Sequence, residues 1–191
     1  MSDTRLFFAA MPPPEVVVTI RDILRKNKLE QWLGSALFAP DNWHQSLSER
    51  TFNATRVDVS LLRAVGGRIR ARACTLQCNR IETSVTHKGK IYMTLRAKGK
   101  PKSLELLNLA LQTELRAAKY EDMATGVTAH TTVSYDAPGL IERIVIEPSI
   151  NWTINEFLLL LGNGDPYRYD VIDRWQLLPE RDPIVTQTSL F

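Results

Sequence analysis

Two of the three histidines in this chain stand in the same frame. Asn42-Trp43-His44-Gln45-Ser46-Leu47 and Ala129-His130-Thr131-Thr132-Val133 each carry a histidine, one residue, a hydroxyl and an apolar residue. Side chains two apart on a strand point the same way, so each segment reads as a short strand with imidazole and hydroxyl on one face. Two such strands facing each other suit phosphoester chemistry. One imidazole serves as base and the other as acid, and the hydroxyls supply donors for phosphate oxygens. The plainer reading is two unrelated histidines on half-buried strands.

The elements that must position these residues can be read along the chain. Arg5 to Met11 reads as a buried first strand, stopped by Pro12-Pro13-Pro14, with a proline well placed at the first turn of the next helix. That helix is expected over about Glu15 to Leu33, with Val16, Ile20, Ile23 and Leu24 inward and Gly34 as its stop. The His44 strand follows. Val57 to Val65 reads as a second helix ended by Gly66-Gly67. Ile69 to Val85 and Lys90 to Ala97 read as a hairpin turning at His87-Lys88-Gly89. Ser103 to Lys119 is a third helix, with Leu104, Leu107, Leu111 and Leu115 as its buried stripe. After the His130 strand, Ile141 to Ile146, Asn155 to Leu161 and Tyr167 to Leu177 read as closing strands, the last two joined by a turn at Asn163-Gly164-Asp165-Pro166. The class is α+β with mainly antiparallel sheets. Each histidine strand follows a strand and a helix, an echo that suggests two lobes presenting one motif each to a shared cleft.

At 191 residues, 44% of them apolar and 24% charged, the composition is that of an ordinary globular chain. The net charge is +3 and unevenly spread. Residues 61–102 hold eleven Lys/Arg against one acid, Glu82, and the remainder holds thirteen against twenty. A basic middle on an acidic frame points to an anionic partner such as RNA, or to a hairpin whose strand edges are blunted by charge. Arg68, Arg70 and Arg72 alternate and would share one strand face, either lining an RNA path or simply solvated. His87 reads as a solvated turn residue. Trp43 and Trp175 are candidates for stacking on a base, against the commoner role of tryptophan in a core. Cys74 and Cys78 read as reduced, half-buried thiols, without histidines at zinc-ligand spacing. No targeting segment or membrane span is read, and a cytoplasmic location is expected.

Taken together, these pieces resemble the 2H phosphoesterase superfamily, within it the bacterial 2′-5′ RNA ligase / RNA 2′,3′-cyclic phosphodiesterase branch. Arg5-Leu6-Phe7-Phe8-Ala9-Ala10 is similar to the family's opening strand, and the two histidine segments to its paired motifs. Asn155 to Leu160, Tyr169-Asp170-Val171-Ile172 and Trp175 are similar to its closing hairpin. The resemblance covers nearly the whole chain. It implies a single domain over residues 1–191, bilobal, with two mainly antiparallel sheets and outer helices around a central groove. It also implies opening of a 2′,3′-cyclic phosphate at an RNA end to a 2′-phosphate, without metal or other cofactor. His44 would protonate the leaving 3′ oxygen, His130 would activate water, and Ser46 and Thr132 would hold the non-bridging oxygens. The reverse reaction would form a 2′-5′ linkage.

The chain departs from the family pattern twice. The second motif usually continues to a basic residue facing the phosphate, and here Ser134-Tyr135 stands in its place. Tyr135 donates one hydrogen bond but no charge. After the first motif an apolar run ending in glycine is usual, whereas this chain reads Ser48-Glu49-Arg50-Thr51. Arg50 would supply the missing cation from the other lobe or be an ordinary surface arginine. With Tyr135, Arg50 and Trp43, the expected phosphate- and substrate-contacting set is complete. The alternatives are an RNA- or nucleotide-binding module that has lost catalysis, and a phosphodiesterase for another 2′-linked or cyclic nucleotide. The expected partners are RNA ends or small nucleotides, and the resemblance implies a monomer. Residues 182–191 read as an exposed tail in which Gln187-Thr188-Ser189-Leu190-Phe191 resembles the pentapeptide that docks bacterial proteins on the DNA sliding clamp.

Overall fold

Leu6-Phe7-Phe8-Ala9-Ala10 is apolar without a break, and all five side chains are buried. A run like this needs cover on both faces, which only an interior strand provides. The computed structural model describes residues 4–180 and makes this run an inner strand of one of two antiparallel sheets. The first half of the chain forms β1 (Arg5–Ala10), α1 (Pro14–Lys26), α2 (Leu29–Leu33), β2 (Gln45–Ser46), β3 (Thr51–Phe52), α3 (Arg56–Arg68), β4 (Cys74–Val85) and β5 (Ile91–Ala97). The second half forms α4 (Lys102–Ala117), β6 (His130–Ser134), β7 (Ile144–Ile154), β8 (Glu156–Asn163) and β9 (Arg168–Gln176).

The two sheets repeat one strand order. The first runs β2-β1-β8-β9, with β3 also on β1, and the second runs β6-β5-β4-β7. In each, a strand, helical structure and an antiparallel edge strand follow in sequence, and the edge strand carries or directly follows the motif histidine: β1-α1-α2-β2 and β5-α4-β6. The helices bury apolar stripes. Val16, Ile20 and Leu24 of α1 are buried, as are Leu104, Leu107, Leu111 and Leu115 of α4. Asn108, 3% exposed among those leucines, donates to the Leu47 and Thr125 carbonyls, so α4 is tied to chain beside each motif. None of the described helices is long and apolar enough to cross a membrane.

The elements differ from expectation where tertiary packing overrides a local signal. The first helix is two helices, broken at Lys28, whose φ is +60°. Continued without a break, its inward stripe would pass through Lys28 and Gln31, whereas the break turns Leu29 and Leu33 into the core. Glycines 66 and 67 do not end α3, which continues through Arg68. Gly66 instead lies under Trp175, where a Cβ would meet the indole at 2.5 Å. Trp175 also stacks on Phe157, so its ring belongs to the packing rather than to a ligand. Arg68, Arg70 and Arg72 do not share a strand face. Arg68 closes α3 and pairs with Glu114, and Arg70 and Arg72 precede β4 and donate to the backbone carbonyls of Gly67, Ile69 and Pro179. The strand at Ile144 runs eight residues past Ile146 to Ile154, through Pro148. It lies at the sheet edge, where a proline forfeits no ladder hydrogen bond, beside a register shift between Cys78 and Arg80. His87 sits exposed in the β4–β5 turn. Cys74 and Cys78 are free and buried, and burial pushes both thiols up to about 12. The clamp-like segment Gln187–Phe191 lies outside the described residues.

The Gly66–Trp175 contact sets a measurable cost. Gly66→Ala must displace an indole held between α3 and Phe157, and overpacking of this kind costs about 1–3 kcal/mol. Urea unfolding should show that loss, and Gly67→Ala, where the nearest indole atom is 4.0 Å away, should show little.

Candidate active site

β2 is short, and His44 stands just before it, with Gln45 and Ser46 paired to Ala10 and Ala9 of β1. The chain then leaves the ladder. Leu47 and Ser48 both donate to the Phe8 carbonyl, Ser48 Oγ accepts from Phe8 N, and pairing resumes only at Thr51 with Leu6. Arg50 projects from this interruption. On the other sheet β6 pairs His130 with Arg96 and Thr132 with Thr94, so these four side chains share a face.

The two motifs meet through Gln45. Its amide donates to the Thr128 carbonyl at 2.8 Å, and its Oε1 accepts the His130 N–H at 2.7 Å. Gln45 is fully buried, so both bonds are shielded from water. The sequence reading passed over this residue, because a glutamine between a histidine and a serine carries no signal of its own.

Both imidazoles are oriented in the same way. Nδ1 of His44 lies 2.9 Å from the Asn42 carbonyl, and Nδ1 of His130 lies 3.2 Å from the Thr128 carbonyl and 2.7 Å from Thr128 Oγ1. A carbonyl only accepts, so each Nδ1 carries a proton and donates, which leaves Nε2 as the reactive nitrogen on both rings. In each case the orienting carbonyl belongs to the residue two positions before the histidine.

Their electrostatics are alike in kind. His44 is 8% exposed and packed between Phe7 and Tyr169, with ring centroids 5.2 and 5.0 Å away. Burial lowers its pKa to about 4, and the charges of Arg50 and His130 act in the same direction. His130 is lowered as well, first by burial and then by Arg96 and Arg50. Arg50 therefore lies within electrostatic reach of both rings. Its Nη2 donates to Tyr135 Oη at 3.1 Å, and its guanidinium sits over the Phe7 ring at 5.4 Å. Its Nε is buried without a hydrogen-bond partner among the described residues.

The structure thus brings His44, His130, Arg50 and Tyr135 into one cluster, with Ser46 and Thr132 half-buried on the motif strands. Neither hydroxyl is engaged with another described residue. Trp43 is the exception among the expected contact residues. It is fully buried, so no face of its ring is open to a base, and its place is in the core. Tyr169, which shields His44, lay within the segment similar to the family's closing hairpin, but its role became visible only once β9 was placed beside β8 and β1.

The burial of His44 carries a pH signature. Between about 4 and 6.5 the unfolded chain binds a proton here that the folded protein refuses. Stability should therefore fall as pH drops through that window, by up to about 3 kcal/mol at roughly 1.4 kcal/mol per unit. Urea unfolding at several pH values should show a steeper acid loss in the parent than in His44→Gln, the difference being confined to that window.

No protein-family model matches the chain, and no curated protein matches it. Solved structures do. E. coli LigT complexed with phosphate matches with a TM-score of 0.73 and 22% identity over 93% of this chain and 99% of its own. LigT complexed with 3′-AMP gives 0.70 and 22% over 92% and 98%. A Thermus thermophilus protein gives 0.67 and 16% over 92% and 99%. The chain has the fold of LigT.

Proposed function

We propose that this protein is a phosphodiesterase that opens 2′,3′-cyclic phosphates at RNA ends by two-histidine acid/base catalysis. The observation that carries the reading is the matched pair of imidazoles. Both are fixed through Nδ1 to the carbonyl two residues earlier and offer Nε2, and Gln45 ties their segments together. Binding alone needs no such pair. The likeness to LigT, whose structures include complexes with phosphate and 3′-AMP, supports a nucleotide or phosphate ligand for this fold.

In the forward step Nε2 of His130 takes a proton from water as its oxygen attacks phosphorus. The bond from phosphorus to the 3′ oxygen breaks, and that oxygen takes the proton from Nε2 of His44, leaving a 2′-phosphate. Each turnover moves one proton onto His130 and one off His44, and exchange with solvent resets the pair. The Ser46 and Thr132 hydroxyls donate to the non-bridging oxygens. Arg50 supplies the positive charge that Tyr135 cannot, with Tyr135 accepting one of its N–H groups and fixing its plane. A ribose hydroxyl in place of water runs the reverse ligation.

His44 with a pKa of about 4 is neutral in the free protein at pH 7. The substrate's phosphate is an anion beside both rings and favours their charged forms, so binding takes up the proton that the acid later delivers. Histidine NMR titrations should place His44 near 4 in the free protein and at least a unit higher with inorganic phosphate. An unmoved value would remove His44 from the acid role.

The direct test incubates the protein in EDTA with a short RNA ending in 2′,3′-cyclic phosphate and maps the product ends. A 2′-phosphate is expected, with His44→Ala and His130→Ala each slower by about 10²–10⁴-fold. Arg50→Met should cost about 10²–10³-fold, as loss of a transition-state donor does, and Tyr135→Phe distinctly less. Tight RNA binding without any product would favour the binding module instead.

A further inference from the structure

A groove of about 900 Å³ opens off one end of the second sheet. Its walls carry Arg70, Arg72, Lys98, Lys100 and Lys102 against a single carboxylate, Glu180. That carboxylate is already engaged, accepting from Thr75 N at 3.2 Å and from Thr75 Oγ1 at 2.8 Å. Lys98 and Lys100 are exposed and form no ion pair among the described residues, and Lys102 has only an exposed contact to Glu105 at 3.5 Å. Arg70 and Arg72 are held by backbone carbonyls, which orient their guanidinium groups without neutralising them. Five cations around one occupied carboxylate repel one another, so the groove favours a polyanion over a single charge.

The groove begins two residues along the chain from the strand partner of His130. His130 stands opposite Arg96 on β5, so the two side chains share a face. Lys98 is two residues further along and keeps that face, because its N–H still donates to the Gln77 carbonyl at 2.8 Å. Gln77 and Lys98 both line the groove. The sheet is positive on the other side of Arg96 as well, at the level of Thr94. Glu82 is shared by Arg96 at 2.9 Å, Arg80 at 3.2 Å and Arg143 at 3.4 Å, three cations on one carboxylate.

We propose that this groove holds the phosphodiester backbone of the RNA strand whose cyclic end lies at the histidines, an assignment that rests on the function proposed above. A 2′,3′-cyclic phosphate sits at the 3′ end of its strand, so the remaining nucleotides extend in the 5′ direction only. The row from His130 through Arg96 and Lys98 to Lys100 and Lys102 gives them one positive course to follow. The favoured substrate is therefore a single strand of several nucleotides rather than a mononucleotide. Recognition along the groove is by charge, and so is independent of sequence.

The test compares a cyclic-phosphate dinucleotide with an RNA octamer of the same 3′ end, for the parent protein and for Lys98→Gln/Lys100→Gln. The parent should favour the octamer in kcat/KM. A plot of log kcat/KM for the octamer against log salt should be shallower in the double variant by about 1.4, the contribution of two phosphate contacts to a single strand. Between about 50 and 200 mM salt this is about a sevenfold smaller loss. The dinucleotide, which reports the histidine site alone, should differ by less than about twofold. A control pair with the same charge change, Lys26→Gln/Lys88→Gln, should keep the parent's slope. Equal handling of octamer and dinucleotide by the parent, or an unaltered slope in the groove variant, overturns the proposal. If neither RNA is turned over, the function proposed above fails by itself. Fluorescence anisotropy of a labelled octamer then decides the groove: the same difference in salt slope upholds it, and equal affinity in parent and variant overturns it.

Discussion

One buried carboxamide holds the two halves of the site in register. Gln45 reaches from the edge of the first sheet to the backbone on either side of Ala129 in the second, donating on one side and accepting on the other. An amide suits this task because it offers both a donor and an acceptor at the end of one side chain. A carboxylate would leave the Thr128 carbonyl without a donor, and an apolar residue would strand both backbone groups in a dry interface. The orientation of the His130 imidazole depends on this join, because the carbonyl that orients it is the one that Gln45 clamps.

Around that join the site sets burial against charge. Phe7 and Tyr169 exclude water from His44, which disfavours its cation, and Arg50 is pressed into the same space beside both rings. Three potential cations in so small a volume cannot all be charged without an anion among them. The guanidinium remains charged because its proton affinity far exceeds that of an imidazole, and the imidazoles yield. The unpartnered Nε of Arg50 belongs to the same pattern, a donor kept in place without a protein acceptor to satisfy it.

Much of this was legible from residue patterns. The histidine frames, the apolar first strand, the leucine stripe of α4 and the β4–β5 hairpin all follow from local periodicity, which survives folding when the element packs by its own stripe. The misses share a different cause. The break at Lys28 and the continuation of α3 past Gly66 are decided by side chains far away in sequence, the core around Leu29 and Leu33 in one case and Trp175 in the other. The strand expected over Ile141 to Ile146 runs on to Ile154 through Pro148, which its place at the sheet edge allows. In the site, His44 and His130 were readable as types in a frame. Trp43 was misjudged because an aromatic beside a motif looks the same whether it faces ligand or core. Gln45 was invisible, and Arg50 was readable only as a departure from the family pattern, since a contact between positions 50 and 135 leaves no trace in either local sequence.

The strand order also has a consequence for biosynthesis. The second sheet is built from one continuous stretch, Cys74 to Ile154, and can assemble as soon as that stretch has emerged from the ribosome. The first sheet cannot. Its inner strand β1 is made before any strand of the second sheet, yet it pairs Arg5 with Gly162, and β9 comes later still. Until then Leu6-Phe7-Phe8-Ala9-Ala10 has only the short strands β2 and β3 to cover one edge. The nascent chain thus carries an apolar, half-paired strand until β8 has been made, the kind of segment that invites association with other chains or with holding chaperones. The first histidine motif is drawn into its final place only after β6, which it meets through Gln45, and β8 have been made.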